Sequence, residues 1–321
     1  MRSARRLALA VLLLHAATAS LAAEPLRLVL ESAYAPHHVP ILMALVQGHF
    51  ARAGIEPLIE AGLGTNMVAV LVGQRAFDLG HINAPAAAVA ISRGAPIRMV
   101  AIYQPRTAFG LVGLKGRVQL DRPASVEGKR LGLTPGTADT MALSLFRRAN
   151  GIGTSAITVI PTDRGAKLAN LAAGRLDIVI GDATFLRAGL LAIAQEPEVL
   201  ELADFGVNLQ GFGFVASQAL LGENSDLARR ALGALRAGFT AAAADPAGAC
   251  RDTRARFNLA DSDEICIQAL TIFLASLAPP SAGWGQQSVE AWQRMIEAMR
   301  AVGEIQGTRP TSFYYTNAVI P

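Results

Sequence analysis

Strand-like and helix-like segments alternate along the first two thirds of the chain. Short apolar runs predict one series of strands, at residues 26–30, 57–59, 77–80 and 97–103. Segments with helical spacing separate these strands, at 41–53, 66–72 and 86–93. The pattern then restarts, with strands at 130–134, 157–160 and 176–180 and helices at 139–150 and 165–173. Alternation of this kind predicts two α/β lobes with mostly parallel sheets.

The last third of the chain is helical in pattern. Three further helices are predicted, at 228–244, 263–277 and 288–302. Pro246, Pro279 and Pro280 separate them. The segments near 104–113 and 206–216 are predicted to cross between the two lobes.

The first 23 residues have the pattern of a cleaved secretory signal. Three arginines precede an apolar stretch at 7–14, and small residues at 20–23 offer a cleavage site after Ala22 or Ala23. Removing this leader lowers the formal charge from +4 to +1, so the high isoelectric point belongs largely to the leader. We therefore expect a periplasmic protein that binds no nucleic acid.

Cys250 and Cys266 are the two cysteines of the chain. Export to an oxidising compartment favours a disulfide between them over two buried thiols. Such a bridge would be structural.

Several stretches resemble the periplasmic solute-binding proteins of ABC importers. The relevant branch includes the binders of thiamine-pyrimidine precursors, aliphatic sulfonates, taurine and nitrate. The resemblance covers nearly all of residues 25–321. It rests on the ordered series LVQGHFARAGIEP, VGQRAFDLGHINAPAAAVAISRGAPIRMVAIY, SVEGKRLGLTPGTADTMALSLFRRANGI, LANLAAGRLDIVIGDA and the C-terminal YYTNAVIP.

This resemblance implies a two-lobed periplasmic binding protein fold of type II, with two crossover strands and C-terminal helices packed on lobe 1. Lobe 1 would comprise 24–105 and 209–321, and lobe 2 would comprise 106–208. The resemblance further implies a monomer that binds a small molecule between its lobes and delivers it to the membrane subunits of an ABC permease.

Ligands of open α/β sheets collect at the carboxyl ends of the strands, where helix N-termini present free N–H groups. The first such loop carries Tyr34, His37 and His38, which suit a planar ligand but equally suit loop packing and capping. Neighbouring histidines diverge in direction, and no i,i+4 pair or cysteine cluster accompanies them. We therefore assign no metal ligands, although His49 and His81 lie in the same part of the chain.

The other strand-to-helix loops supply the rest of the predicted site. These ligand contacts are Gly64, Thr65, Asn66, Asn83, Gly136, Thr137, Asp139 and Asp182. Thr65, Asp139 and Asp182 equally suit helix caps or turns. The ligand is expected to be aromatic or heterocyclic, such as a pyrimidine, or an organic anion such as a sulfonate.

Catalytic motifs are missing from the sequence. It contains no Gly-x-Ser-x-Gly, His-Glu-x-x-His or P-loop pattern. The same fold family includes pyridoxal-phosphate-linked pyrimidine synthases, but their Schiff-base lysine and cysteine-rich segment have no counterpart in the matching region. We expect a binding protein without a cofactor. The alternatives are such a synthase-like enzyme and a stand-alone ligand-sensing protein.

Overall fold

A computed structural model describes residues 23–62, 64–135, 137–207, 209–257, 259, 261–277 and 283–321. The predicted leader, except Ala23, and the predicted contact Gly136 lie outside the described residues.

The first sheet contains five strands in the order β2-β1-β3-β10-β4. They are β1 (Glu24–Val29), β2 (Ile55–Glu60), β3 (Leu79–Asn83), β4 (Ile97–Ile102) and β10 (Phe212–Ser217). β1 pairs in parallel with β2 and with β3, whereas β10 is antiparallel to both β3 and β4. One strand therefore runs against the other four.

The second sheet repeats this arrangement, in the order β7-β6-β8-β5-β9. Its strands are β5 (Phe109–Leu114), β6 (Arg130–Leu133), β7 (Thr158–Pro161), β8 (Ile178–Asp182) and β9 (Pro197–Glu201). β5 is the reversed strand here, antiparallel to β8 and to β9. The sequence analysis predicted the mostly parallel character of both sheets correctly.

The two predicted crossings contain strands of the sheets they enter. The chain leaves the first sheet after Ile102 and becomes β5 at Phe109; it leaves the second after Glu201 and becomes β10 at Phe212. Each arriving strand enters between two strands of the other sheet and runs opposite to them. The crossing segments are therefore shorter than the sequence pattern indicated.

The sheets also share a local motif in the second strand of each, β1 and β6. The backbone N–H and the guanidinium of Arg27 in β1 bind the Asp78 carboxylate, and Arg130 in β6 binds Asp177 in the same way. This shared ion pair supports the prediction that the two lobes have the same architecture.

Twelve α-helices are described. Those of the first half are α1 (Val39–Val46), α2 (His49–Arg52), α3 (Thr65–Gly73), α4 (Ala84–Ser92), α5 (Ala138–Asn150) and α6 (Lys167–Ala172). The others are α7 (Ala183–Ala192), α8 (Gln218–Glu223), α9 (Ser225–Ala244), α10 (Pro246–Phe257), α11 (Asp263–Ala275) and α12 (Val289–Ala301). The helix predicted at 41–53 is divided at Gly48, whose φ of +69° lies in the left-handed region. Pro246 separates α9 from α10, as predicted, and is itself the first residue of α10, where proline is tolerated. Pro279 and Pro280 lie outside the described residues.

The C-terminal helices pack on the first sheet's layer and also reach the second. α9 and α10 pack on α1, whereas α11 contacts α7 and α12 contacts both α4 and α5. One cluster of buried apolar side chains accordingly includes residues of both sheets and of α12. None of the helices within the described residues combines the length and apolar character needed to cross a bilayer.

A disulfide joins Cys250 in α10 to Cys266 in α11. Both residues are fully buried. The bond fixes α11, which contacts the second sheet's α7, to the helices that pack on α1.

Gly238 in α9 lies at the closest approach of α9 to α1. A Cβ at this position would lie 2.4 Å from the Pro40 carbonyl oxygen and 2.6 Å from the Ala44 nitrogen. Gly233 lies in the same helix, and the nearest atom to its Cβ position is 3.7 Å away. The atoms that crowd Gly238 belong to the backbone and cannot move aside as a flexible side chain does. An added methyl group should therefore lower the stability of the protein at Gly238 but not at Gly233.

We predict that Gly238→Ala destabilises the protein, because α9 must move away from α1. Gly233→Ala is the matched control and should stabilise it by up to about 1 kcal/mol, the difference in helix propensity. Urea unfolding of both variants measures this. Equal stability changes in the two variants would refute the close helix contact.

Candidate functional site

The loops at the carboxyl ends of the strands of both sheets meet between the lobes. On the first side, Glu31 follows β1, and the single 3₁₀ turn Pro36–His38 precedes α1. On the second side, Asp182 ends β8, and α7 begins directly after it. The rings of His37 and Phe185 lie 4.5 Å apart, centroid to centroid, across the junction. The predicted cleft is thus lined by these two loops.

A buried carboxylate organises the first side. The Nε2 atom of His37 lies 2.7 Å from Oε1 of Glu31, and Nε2 of His38 lies 3.0 Å from Oε2. Nδ1 of His81 also contacts Oε2, and the other nitrogen of that ring contacts the Tyr103 hydroxyl. All five side chains are buried. Three imidazole rings therefore surround one carboxylate.

The protonation pattern follows from these contacts. The Ala35 backbone N–H donates to Nδ1 of His38 at 3.2 Å, so Nε2 of the neutral ring carries the proton and donates to Glu31. Burial lowers the pKa of His37 and of His38 below the ordinary value. Burial would raise the pKa of Glu31, but the three histidines outweigh it and hold that pKa well below its usual range. The lowered pKa values favour neutral rings at His37 and His38 beside an ionised Glu31 carboxylate.

Aromatic rings enclose the cluster. His81 stacks on Phe212 with centroids 5.0 Å apart and ring planes 16° apart, and on Tyr103 with planes 2° apart. Burial raises the pKa of Tyr103 well above its ordinary value. Phe212 is the first residue of the crossover strand β10, so the chain enters the first sheet beside the site.

The second side carries its own acid. One carboxylate oxygen of Asp182 accepts the Thr184 backbone N–H at 2.9 Å, which caps α7. Burial raises the pKa of Asp182, against the opposing effect of hydrogen bonds from Thr184 and of the charge of His37. Asp182 thus has the capping role that was one of its two predicted alternatives, and its contact with a ligand stays a prediction.

Lys167 and Asp139 form a buried ion pair on the same side. The Lys167 ammonium contacts the Asp139 carboxylate and donates to the Ile180 carbonyl at 2.6 Å. Asp139 also accepts the Thr134 backbone N–H at 3.1 Å. Thr137, rather than Asp139, caps α5. The pair joins α5, α6 and β8, and its lysine was not among the predicted site residues.

The remaining predicted ligand contacts of the first lobe have structural roles as hydrogen-bond partners, caps or first residues of helices. Tyr34 donates its hydroxyl hydrogen to the Ile59 carbonyl at 2.9 Å, and Asn83 caps α4. Gly64 has a φ of +112° and donates its N–H to the Glu31 carbonyl at 2.8 Å, which ties the second loop to the first. Thr65 and Asn66 begin α3, and Asn66 is exposed. Their contact with a ligand stays a prediction, as it does for the other site residues.

Three buried polar atoms near the junction have no hydrogen-bond partner among the described residues. They are Nδ1 of His37, Oγ1 of Thr134 at the end of β6, and Nε2 of Gln210 just before β10. Buried polar atoms are nearly always paired in folded proteins. Atoms left unpaired at strand ends are therefore candidates for contact with a bound molecule.

Sequence reasoning missed Glu31, His81, Phe185 and Lys167. Glu31 follows a buried strand, and His81 lies inside one, between Gly80 and Ile82. Both residues directly follow a strand that the sequence predicts, at 26–30 and at 77–80. A titratable side chain in that position was a usable signal for both. Phe185 and Lys167 lie on helices, and the sequence carries no signal that these face the cleft.

Solved structures share this fold. The periplasmic aliphatic sulphonate binding protein SsuA of Escherichia coli matches with a TM-score of 0.73 and 12% identity, over 91% of this chain and 92% of that one. The alkanesulfonate-binding protein SsuA of Xanthomonas axonopodis pv. citri, bound to MOPS, matches with a TM-score of 0.66 and 17% identity, over 90% and 96%. The two-lobed periplasmic binding protein fold predicted from the sequence is confirmed.

Curated relatives match over a shorter stretch. The 4-amino-5-hydroxymethyl-2-methylpyrimidine phosphate synthase THI12 of Saccharomyces cerevisiae is 29% identical over 97 residues, 30% of this chain and 28% of that enzyme. The chain thus spans less than a third of that relative's length. The family model described as NMT1/THI5 like matches residues 35–249. This match covers about two thirds of the sequence and confirms the predicted branch: the chain belongs to the NMT1/THI5-like family.

Proposed function

We propose that this protein is the extracytoplasmic solute-binding component of an ABC importer, and that it captures a small planar organic molecule between its two lobes. The observation that carries the proposal concerns buried His37: its Nδ1 has no hydrogen-bond partner among the described residues, and its ring lies beside the Phe185 ring of the opposite lobe. A solute that enters this junction would pair with Nδ1 and stack on the ring.

The surfaces offered to a solute are flat and aromatic. The His37 ring contacts the Phe185 ring of the opposite lobe. Its centroid lies 6.0 Å from the centroid of Phe212, where the chain returns to the first sheet. Rings of this kind bind planar molecules by offset stacking. Unpaired atoms on Thr134 and Gln210 add polar contacts, which a nitrogen heterocycle would satisfy better than an aliphatic chain.

The charges of the junction favour a heterocycle over a sulfonate. Among the described residues, no arginine belongs to the buried set, and the buried Lys167 is already paired with Asp139. Glu31 and Asp182 leave the junction acidic. A buried sulfonate requires compensating positive charge or many N–H donors. We therefore favour an aromatic heterocycle, such as a pyrimidine, over the anionic solutes for which the two SsuA proteins are named.

Binding is expected to act through lobe closure. The crossings between the sheets are short, and contacts between α11 and α7 span the two lobes. A solute that touches both His37 and Phe185 binds the closed form better than an open one, and so shifts the population towards it. Recognition of the closed form by the membrane permease would then couple capture to import.

The alternative function is a synthase activity like that for which the curated relatives are named. The resemblance to those relatives covers less than a third of either chain. A Schiff-base enzyme needs a lysine that is free to react. Lys167 is the lysine nearest the junction, and its ammonium donates to Asp139 and to the Ile180 carbonyl. This arrangement supports a structural role for Lys167 and favours the binding function.

We predict that Phe185→Ala weakens binding of a heteroaromatic solute by about 10- to 100-fold, the loss expected when a buried aromatic contact is removed. Isothermal titration with a panel of aminopyrimidines and alkanesulfonates, in buffer containing a chelator, measures the effect. Phe313→Ala, which removes a partly buried phenylalanine of the C-terminal segment, is the matched control. Equal affinities of the two variants, or a preference for sulfonates, would contradict the proposal.

We predict that Asp182→Asn raises thermal stability at neutral pH. Because the folded pKa of Asp182 is raised, the folded state binds the proton more tightly than the unfolded state. The wild type therefore loses stability as pH rises from about 4 through that raised value. Asparagine keeps a capping oxygen without the charge. The stability difference should vanish below about pH 4.

Asp177→Asn is the control with the opposite sign. The Arg130 guanidinium lowers the pKa of Asp177, so this carboxylate contributes stability above its unfolded pKa. The variant should be less stable than wild type at neutral pH. Thermal melts of the three proteins between pH 4 and 8 provide the comparison. A stability loss for Asp182→Asn at neutral pH would contradict the prediction, because it would show that the folded protein stabilises the charged form of Asp182.

A further inference from the structure

We propose that Glu31, His37 and His38 form a binding site for one divalent first-row transition metal ion, with Zn²⁺ as the reference ion. One ligand atom of each residue lies within 4.8 Å of the ligand atoms of the other two. The sequence analysis assigned no metal ligands because adjacent histidines usually diverge. Here the 3₁₀ turn brings both rings to the same carboxylate, with ring centroids 3.8 Å apart.

The spacing suits a transition metal. Zn²⁺ binds imidazole nitrogen and carboxylate oxygen at about 2.0–2.2 Å, which places neighbouring ligand atoms somewhat over 3 Å apart. Nε2 of His37 and Nε2 of His38 lie 2.7 and 3.0 Å from their nearest Glu31 oxygens. The ion would replace the protons that these nitrogens now share with the carboxylate. Small side-chain movements, rather than refolding, would complete the site.

His37 can accept a metal without losing any other contact. Its side chain is 5% exposed, and its Nδ1 has no partner among the described residues. Coordination at Nε2 places the ring proton on Nδ1, where no existing hydrogen bond opposes it. His38 would give up only the 3.2 Å contact from the Ala35 N–H, and Ala35 is half-buried in the loop.

The surrounding groups already hold the carboxylate in place. His81 contacts the second oxygen of Glu31 and is itself held by the Tyr103 hydroxyl. Residues that orient a metal ligand in this way strongly affect metal affinity. His81 would keep this positioning role when the ion binds.

The ligand set also indicates which ions bind. Two imidazoles and one carboxylate favour Zn²⁺, Co²⁺ or Ni²⁺ over Mg²⁺ and Ca²⁺, which prefer oxygen ligands. A dication would place positive charge directly beside the buried Glu31 carboxylate. Three protein ligands leave at least one coordination position open, for water or for an atom of a solute.

The test uses the mature protein without a polyhistidine tag, stripped with a chelator and dialysed. We expect it to bind one Zn²⁺ per chain by isothermal titration, to melt at a higher temperature with Zn²⁺ but not with Mg²⁺, and to give the visible bands of four- or five-coordinate Co²⁺. His37→Gln should weaken Zn²⁺ binding on the order of 100-fold and abolish those bands.

His49→Gln is the matched control, because His49 contacts Gln47 and Arg52 outside the cluster. It should bind Zn²⁺ as the wild type does. Glu31→Gln is a second variant, and its far-ultraviolet circular dichroism checks that it folds. Absence of Zn²⁺ and Co²⁺ binding by the wild type would overturn the proposal, as would full binding by folded His37→Gln. Because the solute titrations contain a chelator, their outcome is independent of this one.

Discussion

The burial of one carboxylate sets the arrangement of the loops at the carboxyl ends of the first lobe's strands. Placing Glu31 in the interior would be strongly unfavourable without hydrogen-bond donors on its oxygens. The donors come from the 3₁₀ turn before α1 and from β3. Tyr103, directly after β4, fixes the ring of His81. A single buried charge thus holds together the loop at residues 31–38, His81 of β3 and Tyr103 after β4.

The same constraint reaches the connection between the lobes. Phe212 begins the crossover strand β10 and stacks on His81, so the returning chain enters the first sheet against the cluster. In the second sheet, Phe109 begins β5 opposite Asp182. Each reversed strand therefore starts beside a strand-end residue that faces the junction. The connections between the lobes and the candidate site therefore meet at the ends of these two strands.

Much of the architecture was predictable because it depends on local periodicity. Apolar runs bounded by glycine and polar turns placed seven strands, and the reuse of one strand-helix pattern indicated two similar lobes. β5 and β10 lie in the predicted crossings, but their pairing within the sheets was not predicted, because strand pairing depends on distant segments. β9, α7, α8 and α10 were missed as elements. Pro246 separates α9 from α10, as predicted, and it also begins α10.

The site was predictable only in part, for a similar reason. His37, His38 and Asp182 follow strands, and the rule that ligands collect at strand ends identified them. The convergence of His37 and His38 on Glu31 depends on a 3₁₀ turn, and the third ring on that carboxylate, His81, belongs to a strand 50 residues away. Phe185 reaches His37 only because the two lobes meet. Contacts made between distant segments are set by tertiary packing, and a single sequence does not specify them.

We propose that a solute binds between His37 and Phe185. A crystal structure of the protein grown with the tightest-binding member of the solute panel would show where the solute lies. We expect a planar ring at this junction, with a polar atom within hydrogen-bond distance of Nδ1 of His37. A solute bound elsewhere, with the His37–Phe185 contact unchanged, would contradict it.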